Sequence, residues 1–271
     1  MFPFAQKSIL PIIASFILFG HGRADADVAD VIPQLGDLER WTAFSLGRGD
    51  RPSLAFGHLF IDGDLGFAGA GNFLIGGHAE VAGDVYVPSN GTVLTIDHAV
   101  FTGSIFDNQD ALLDNYVNEA LAASDYAFSL TPNRSNTSVK IGGHHNITIT
   151  GAPGETVVLS LKNFILKGNS SFTLEGTATT TFIINVSNKF TLKGNSHIDL
   201  AGLQWNQVLF NVVGAGHRVL LGGNSTFEGM LMANNRTIRV KGDATVSGEI
   251  IANRLKLKGS GRVLHPSIVS Q

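Results

Sequence analysis

The chain of 271 residues contains no cysteine. Disulfides and thiolate metal sites are therefore excluded, and stability must come from a packed core. Lysine is absent from residues 27–130, so any basic surface belongs to the second half. Long apolar runs are lacking except near the start, and that one, Ser8 to Phe19, is too short to span a bilayer. With Lys7 before it and Ala24-Asp25-Ala26 after it, it reads as a secretory signal peptide over residues 1–26, cleaved near Ala26. Residues 27–271 are then expected to be one secreted domain with no membrane span, released or held by non-covalent contacts.

What the sequence does have is a repeat. Around Gly168 lie Phe164 and Leu166, then Asn169 and Phe172, so apolar residues stand at −4, −2 and +4 of a glycine. The frame recurs at Gly77, Gly143, Gly194, Gly223, Gly242 and Gly259, and more weakly at Gly57 and Asp97. Apolar residues two apart mark a half-buried strand. Glycine at zero and a small polar residue at +1 mark a tight turn. A second glycine follows at +6 (Gly63, Gly83, Gly103, Gly229, Gly248) or at +8 (Gly151, Gly176, Gly202). A rung of two or three short strands cannot bury its own apolar face, so the rungs must stack into a β-helix. Spacings of 17 to 29 residues predict an irregular one, with loops at its corners.

Between Asp97 and Gly143 one helix is expected, about residues 107–130. Leu113, Tyr116, Val117, Ala120, Leu121, Ser124, Ala127 and Phe128 share a helical stripe. Asp107 or Asn108 would cap its start and Thr131-Pro132 would end it. The flank of the β-helix is the expected partner of the stripe.

Several motifs invite a functional reading and have a simpler one. His58, His78, His98 and His144 all fall at +1, where a histidine column could hold a metal. The same column continues as Asn169, Asn195, Asn224, Asp243 and Ser260, so a corner ladder is the preferred reading and no metal site is assigned. Asp62-Gly63-Asp64 and Asp84 lack the tandem glycine-aspartate array of calcium-binding rolls and read as turn residues. The eight Asn-x-Ser/Thr sequons, Asn90 and Asn169 among them, read as by-products of corner chemistry, and Arg48-Gly49-Asp50 as a chance tripeptide. Carboxylates in the later rungs (Glu175, Asp199, Glu228, Asp243, Glu249) share no column, which argues against a polysaccharide-cleaving site, leaving neither catalytic residues nor a cofactor to name.

The charges are divided along the chain. Residues 27–130 hold fifteen acids against three arginines, whereas residues 131–271 hold fourteen Lys and Arg against six acids. Lys167, Lys193, Arg239, Lys241, Lys256 and Lys258 occupy outward positions −1 and −3. The functional reading is a patch for an anionic polysaccharide or surface. The preferred one is a solvated face that discourages edge pairing. The overall acidity and the leader oppose a nucleic-acid partner.

The stretches Thr181–Val186, Trp205–Asn211, Phe227–Ala233 and Val246–Ala252, with the order rungs, helix, rungs, resemble two related groups. These are the ice-binding-like family of microbial antifreeze proteins and adhesins, and the choice-of-anchor A surface domain. The likeness spans roughly residues 41–265. It implies a right-handed β-helix with a helix along its side and rungs stacked out of chain order, the last beside the first. The basic rungs would then meet the acidic ones, making the division of charge structural. It also implies that ligand binding uses a flat face of small and hydroxylated residues. Thr148, Ser171, Thr173, Thr226, Thr245 and Ser247, in columns +3 and +5, are the candidate surface-binding residues. Asp62, Glu80, Asp199, Glu228 and Arg262 interrupt those columns, which weakens an ice plane. The run Thr177, Thr179, Thr180, Thr181 is expected to reflect strand propensity. The expected function is non-enzymatic contact with an extended surface (matrix or cell-envelope material, or polysaccharide), with ice as the alternative and a polysaccharide-active enzyme as a third.

Overall fold

A glycine between two inward apolar residues and a third lets a strand turn a corner and continue. The computed structural model, which describes residues 28–266 apart from 33–34, 37, 49–51 and 135–136, builds every copy of the repeat this way. The expected leader and most of the Arg48-Gly49-Asp50 tripeptide lie outside the described residues. Strands pair in parallel, repeat upon repeat: Phe164 beside Phe190, Leu166 beside Leu192, Gly168 beside Gly194. The fold is an all-β solenoid with one long helix.

The rungs do not stack in chain order. From one end come the rungs of Gly143, Gly168, Gly194, Gly223, Gly242 and Gly259. The Gly259 rung then pairs with the Gly57 rung, and the Gly77 and Asp97 rungs complete the stack. The last rung in sequence thus seats against the first, as the resemblance implied. Irregular rung length also acquires a reason. The +8 corner glycines lie in consecutive rungs at one end, where Gly202 abuts Gly176, and the +6 glycines follow, where Gly248 abuts Gly229 and Gly103 abuts Gly83. The +6 run is broken once, at the Gly259 rung, where His265 stands beside Gly63.

The turn glycines are required by both backbone and space. Gly168, Gly194 and Gly223 take φ of 71°, 76° and 74°. A Cβ on Gly194 would lie 2.9 Å from the carbonyl oxygen of Gly168 in the rung below. Only at the end of the stack does another residue occupy the column, Asp97, with φ 62°. A short polar side chain is among the few that tolerate this region.

Inward columns fill the solenoid. Phe164, Phe190, Phe210 and Phe227 pack together near its middle, with ring centroids 5.0 to 6.2 Å apart. All four are buried, each contributing roughly 1.5–3 kcal/mol by transfer from water.

The helix Asp110–Ser129 follows the last rung at one end and leads to the first rung at the other. Its 20 residues rise about 30 Å, most of the roughly 38 Å covered by eight rung spacings. It closes a second core over Val158, Ile183, Leu209, Met230, Met232 and Ile251. The buried stripe is Leu113, Tyr116, Ala120, Ala123, Ser124 and Ala127. Val117 and Leu121 sit at its border and Phe128 is 55% exposed, because the sheet below is flat and touches a stripe narrower than the sequence suggests. Neither Asp107 nor Asn108 caps the helix. Its N-cap is Gln109, whose side chain donates to the Asp107 carbonyl and makes no capping bond, and Asn108 takes φ 58° in turning the chain off the last rung.

A row of asparagines docks the helix. Asn185 donates to the carbonyl of Ala127, Asn211 to that of Ser124 and Asn234 to that of Ala120. Asn211 also donates to Asn185 and accepts from the Ser124 hydroxyl. Nearby, Glu249 is fully buried with neither carboxyl oxygen hydrogen-bonded. Burial, reinforced by Glu39, holds its carboxyl well above the usual range, so it sits in the core as the neutral acid.

Candidate functional site

The stacked strands form three faces, and the helix and the N-terminal segment cover one of them. Binding by contact is left to the other two.

The first open face carries columns +3 and +5. Register places Asn146, Ser171, His197, Thr226 and Thr245 in one column. Thr148, Thr173 and Asp199 stand in the other, with Glu228 and Ser247 further along it. All six candidate residues therefore share this face, Thr148 exposed and the others half-buried. They form two patches, Thr148-Ser171-Thr173 and Thr226-Thr245-Ser247, separated by His197 and Asp199. Beyond Thr245 the column runs on through Arg262, Phe60 and Glu80, and Arg262 stacks over the Phe60 ring. Burial first, then the negative charge of Asp199, raises the Glu228 carboxyl above its usual value, against a backbone hydrogen bond that lowers it. The interruptions read from the sequence are physically there.

The second open face carries columns −5, −3 and −1. Lys140, Lys167, Lys189, Lys193 and Arg218 lie on its first four rungs. Arg239, Lys241, Arg254, Lys256 and Lys258 lie on the next two. Ten basic residues thus share a sheet of six rungs, and no carboxylate stands among them. Lys256 is pushed below its usual value by desolvation and then by Lys258, Arg239, Arg254 and Arg218. The same columns continue onto the Gly57, Gly77 and Asp97 rungs as Leu54, Phe56, Leu74, Leu94 and Ile96.

This corrects the expected complementarity of charge. The basic and acidic halves are adjacent, but where their rungs pair the basic columns meet apolar ones. Lys256 and Lys258 abut Leu54 and Phe56, whereas Asp62 and Glu80 lie on the other open face. Positions −1 and −3 were legible in the sequence. Column −5 (Lys189, Arg218 and Arg254) lies outside the −4 to +4 frame of the repeat and so is not marked by it.

A concavity of about 260 Å³ opens on the basic face, lined by Lys167, Lys189, Lys193, His217 and Arg218 around Thr191 and Leu220. Its rim is fixed by Arg236, which is 3% exposed. The Arg236 guanidinium donates to the carbonyls of Ser187, Asn188, Val213, Gly214 and His217. It thereby ties the chain just before Lys189 to the chain just before Arg218. Desolvation lowers its pKa.

The corner residues behave as ladders. The rings of His58, His78 and His98 stack at 4.8 and 4.9 Å. Asn195 donates to Asn169 at 2.9 Å, and Asn169 contacts His144 at 3.4 Å. Parallel rings do not converge on a point, and among the described residues no group of three His, Asp or Glu could hold a metal ion. Asp64 accepts the Asp84 amide and Asp84 that of Ser104, which is turn chemistry. The threonine run departs from expectation. Thr177, Thr179 and Thr180 precede the strand and form a hydrogen-bonded loop that Gln207 clasps through three carbonyls.

Stacked faces and a helix-covered flank define a surface-presenting β-helix. The family model of the ice-binding-like adhesive domain matches residues 39–265, and the chain belongs to that family. Among solved structures it is similar to an ice-binding protein of the Antarctic ascomycete Antarctomyces psychrotrophicus, at 17% identity and TM-score 0.52, covering 86% of this chain and 98% of that one. It is similar to an ice-binding protein domain of Shewanella frigidimarina, at 16% identity and TM-score 0.52, covering 86% and 97%. A glycosylated ice-binding protein of an Arctic yeast matches at 17% identity and TM-score 0.51, covering 79% and 92%. These likenesses establish the fold. Comparison with curated proteins finds no match. Among the described residues no helix is long and apolar enough to cross a membrane.

Proposed function

We propose that the protein is a secreted, non-enzymatic module that adheres by laying an open face on an extended surface such as matrix or cell-envelope material. The observation that carries this is the pair of strand faces left open beside the helix-covered one, each running across successive rungs. Residues 1–26, read as a leader, put it outside the cell with residues 27–271 as the working domain. Retention of the purified protein on cell-envelope and matrix preparations through successive washes tests the reading. Complete elution in the first wash from every preparation sinks it.

A second reading, ice binding, is supported by the two patches Thr148-Ser171-Thr173 and Thr226-Thr245-Ser247. Each is small, and charge lies between them and beyond, so any activity should be weak. Partition into growing ice and inhibition of recrystallisation should be lost on Thr173→Lys with Thr245→Lys. A protein excluded from the ice fraction has no such function.

A further inference from the structure

The basic face has a chemistry of its own. Its six rungs span about 24 Å along the stack and about 13 Å along the strands. Ten cations on so small a sheet repel one another, and no carboxylate stands in their columns; Arg254 donates to the Pro52 carbonyl and Lys258 lies over the Phe56 ring. The Nε of Arg239 is buried with no hydrogen-bond partner. The first four rungs expose Lys140, Lys167, Lys189, Lys193 and Arg218, whereas Thr191 and Gly222 between them are buried and Leu220 half-buried. The charged heads therefore stand above a floor of short side chains. A bilayer-binding face is arranged the other way, with apolar residues reaching past the cations. A single-stranded nucleic acid needs aromatic platforms, and these six rungs offer none outward. An extended chain with a negative charge on successive units matches a rigid lattice of point charges whose rows repeat every ~4.8 Å.

We propose that this face binds a linear anionic polysaccharide, and that the concavity between Lys167, Lys193 and Arg218 seats one acidic sugar unit. The Arg236 clasp holds the rim in place before the ligand arrives, which lowers the entropy lost on binding. The proposal names the ligand of the surface-contact reading and rests on it. Carboxylate and sulfate are both served by this chemistry.

The test uses immobilised alginate for carboxylate and dextran sulfate for sulfate, with neutral dextran as the blank. The whole protein should bind one or both polyanions and not neutral dextran, with affinity falling as salt rises. Replacing Lys167, Lys193 and Arg218 together by Gln, all three exposed and away from the core, should weaken binding by about tenfold or more and flatten the salt dependence. Arg262→Gln, on the other open face, should change little. Absence of binding to both polyanions, equal losses in the two variants, or tighter binding to phosphatidylglycerol vesicles or duplex DNA overturns the proposal. Retention on envelope material by a protein that ignores both polyanions would leave surface contact standing without this ligand; loss of both would remove the wider reading as well.

Discussion

At the scale of single residues, the two buried charged side chains among the described residues are handled in opposite ways. Arg236 keeps its charge by donating to five carbonyls, since burying a guanidinium is tolerable only when its donors are satisfied. Glu249 has no such partners and gives up its charge instead. A carboxyl with a raised folded pKa is more protonated in the native state than in the unfolded one. Its stabilising effect is complete below the unfolded value of about 4.3 and is lost as pH rises toward the folded value. Melting temperature should therefore fall between pH 4.5 and pH 8 by more in the native protein than in Glu249→Gln. The variant should be the more stable of the two at pH 8. Parallel melting curves for the two proteins across that range would show that Glu249 is not the titrating group.

At the scale of elements, the helix is held by polar contacts as much as by its apolar stripe. The donors that reach it come from successive rungs, so they meet carbonyls of Ala120, Ser124 and Ala127 along one helical line. Asn211→Ala takes the partner from the Asn185 amide oxygen and the Ser124 hydroxyl and the second donor from the Ser124 carbonyl, and should cost about 1–3 kcal/mol. Hydrogen exchange over Asp110–Ser129 should accelerate more than exchange in the Gly168 and Gly194 rungs. Uniform acceleration everywhere would place the helix inside the same cooperative unit as the solenoid. The strands themselves were legible in the sequence because glycine, turn residue and apolar alternation are local signals. The helix was legible from its period, but its exposed Phe128 and its uncapped start depend on the surface beneath it. Of the open faces, the hydroxyl columns could be read by counting from each glycine. The full basic face could not, since Lys189, Arg218 and Arg254 join it only through registry between rungs.

At the scale of the molecule, the stacking order decides how the chain can fold. The rungs of Gly57, Gly77 and Asp97 are made first, yet their neighbour is the Gly259 rung, made last. Pairing across some 200 residues is entropically slow. A circular permutant with its old ends joined and new ends opened in the connection 131–137 would place all nine rungs in sequential order. It should refold faster in stopped-flow experiments, by about tenfold if closure of this long loop is the slow step. An unchanged rate would put the slow step elsewhere. The same order settles where the polypeptide leaves the solid. The short helix Val28–Val31 packs near the Gly194 rung and Trp205, and Trp205 donates to the carbonyl of Pro266. Both limits of the described chain therefore emerge together on the flank, amid the stack. A cable fixed to either would hold the molecule at its waist like a mooring cleat. Tension would cross the central strands, and both extremities of the solenoid would hang free of load while a face stays in contact.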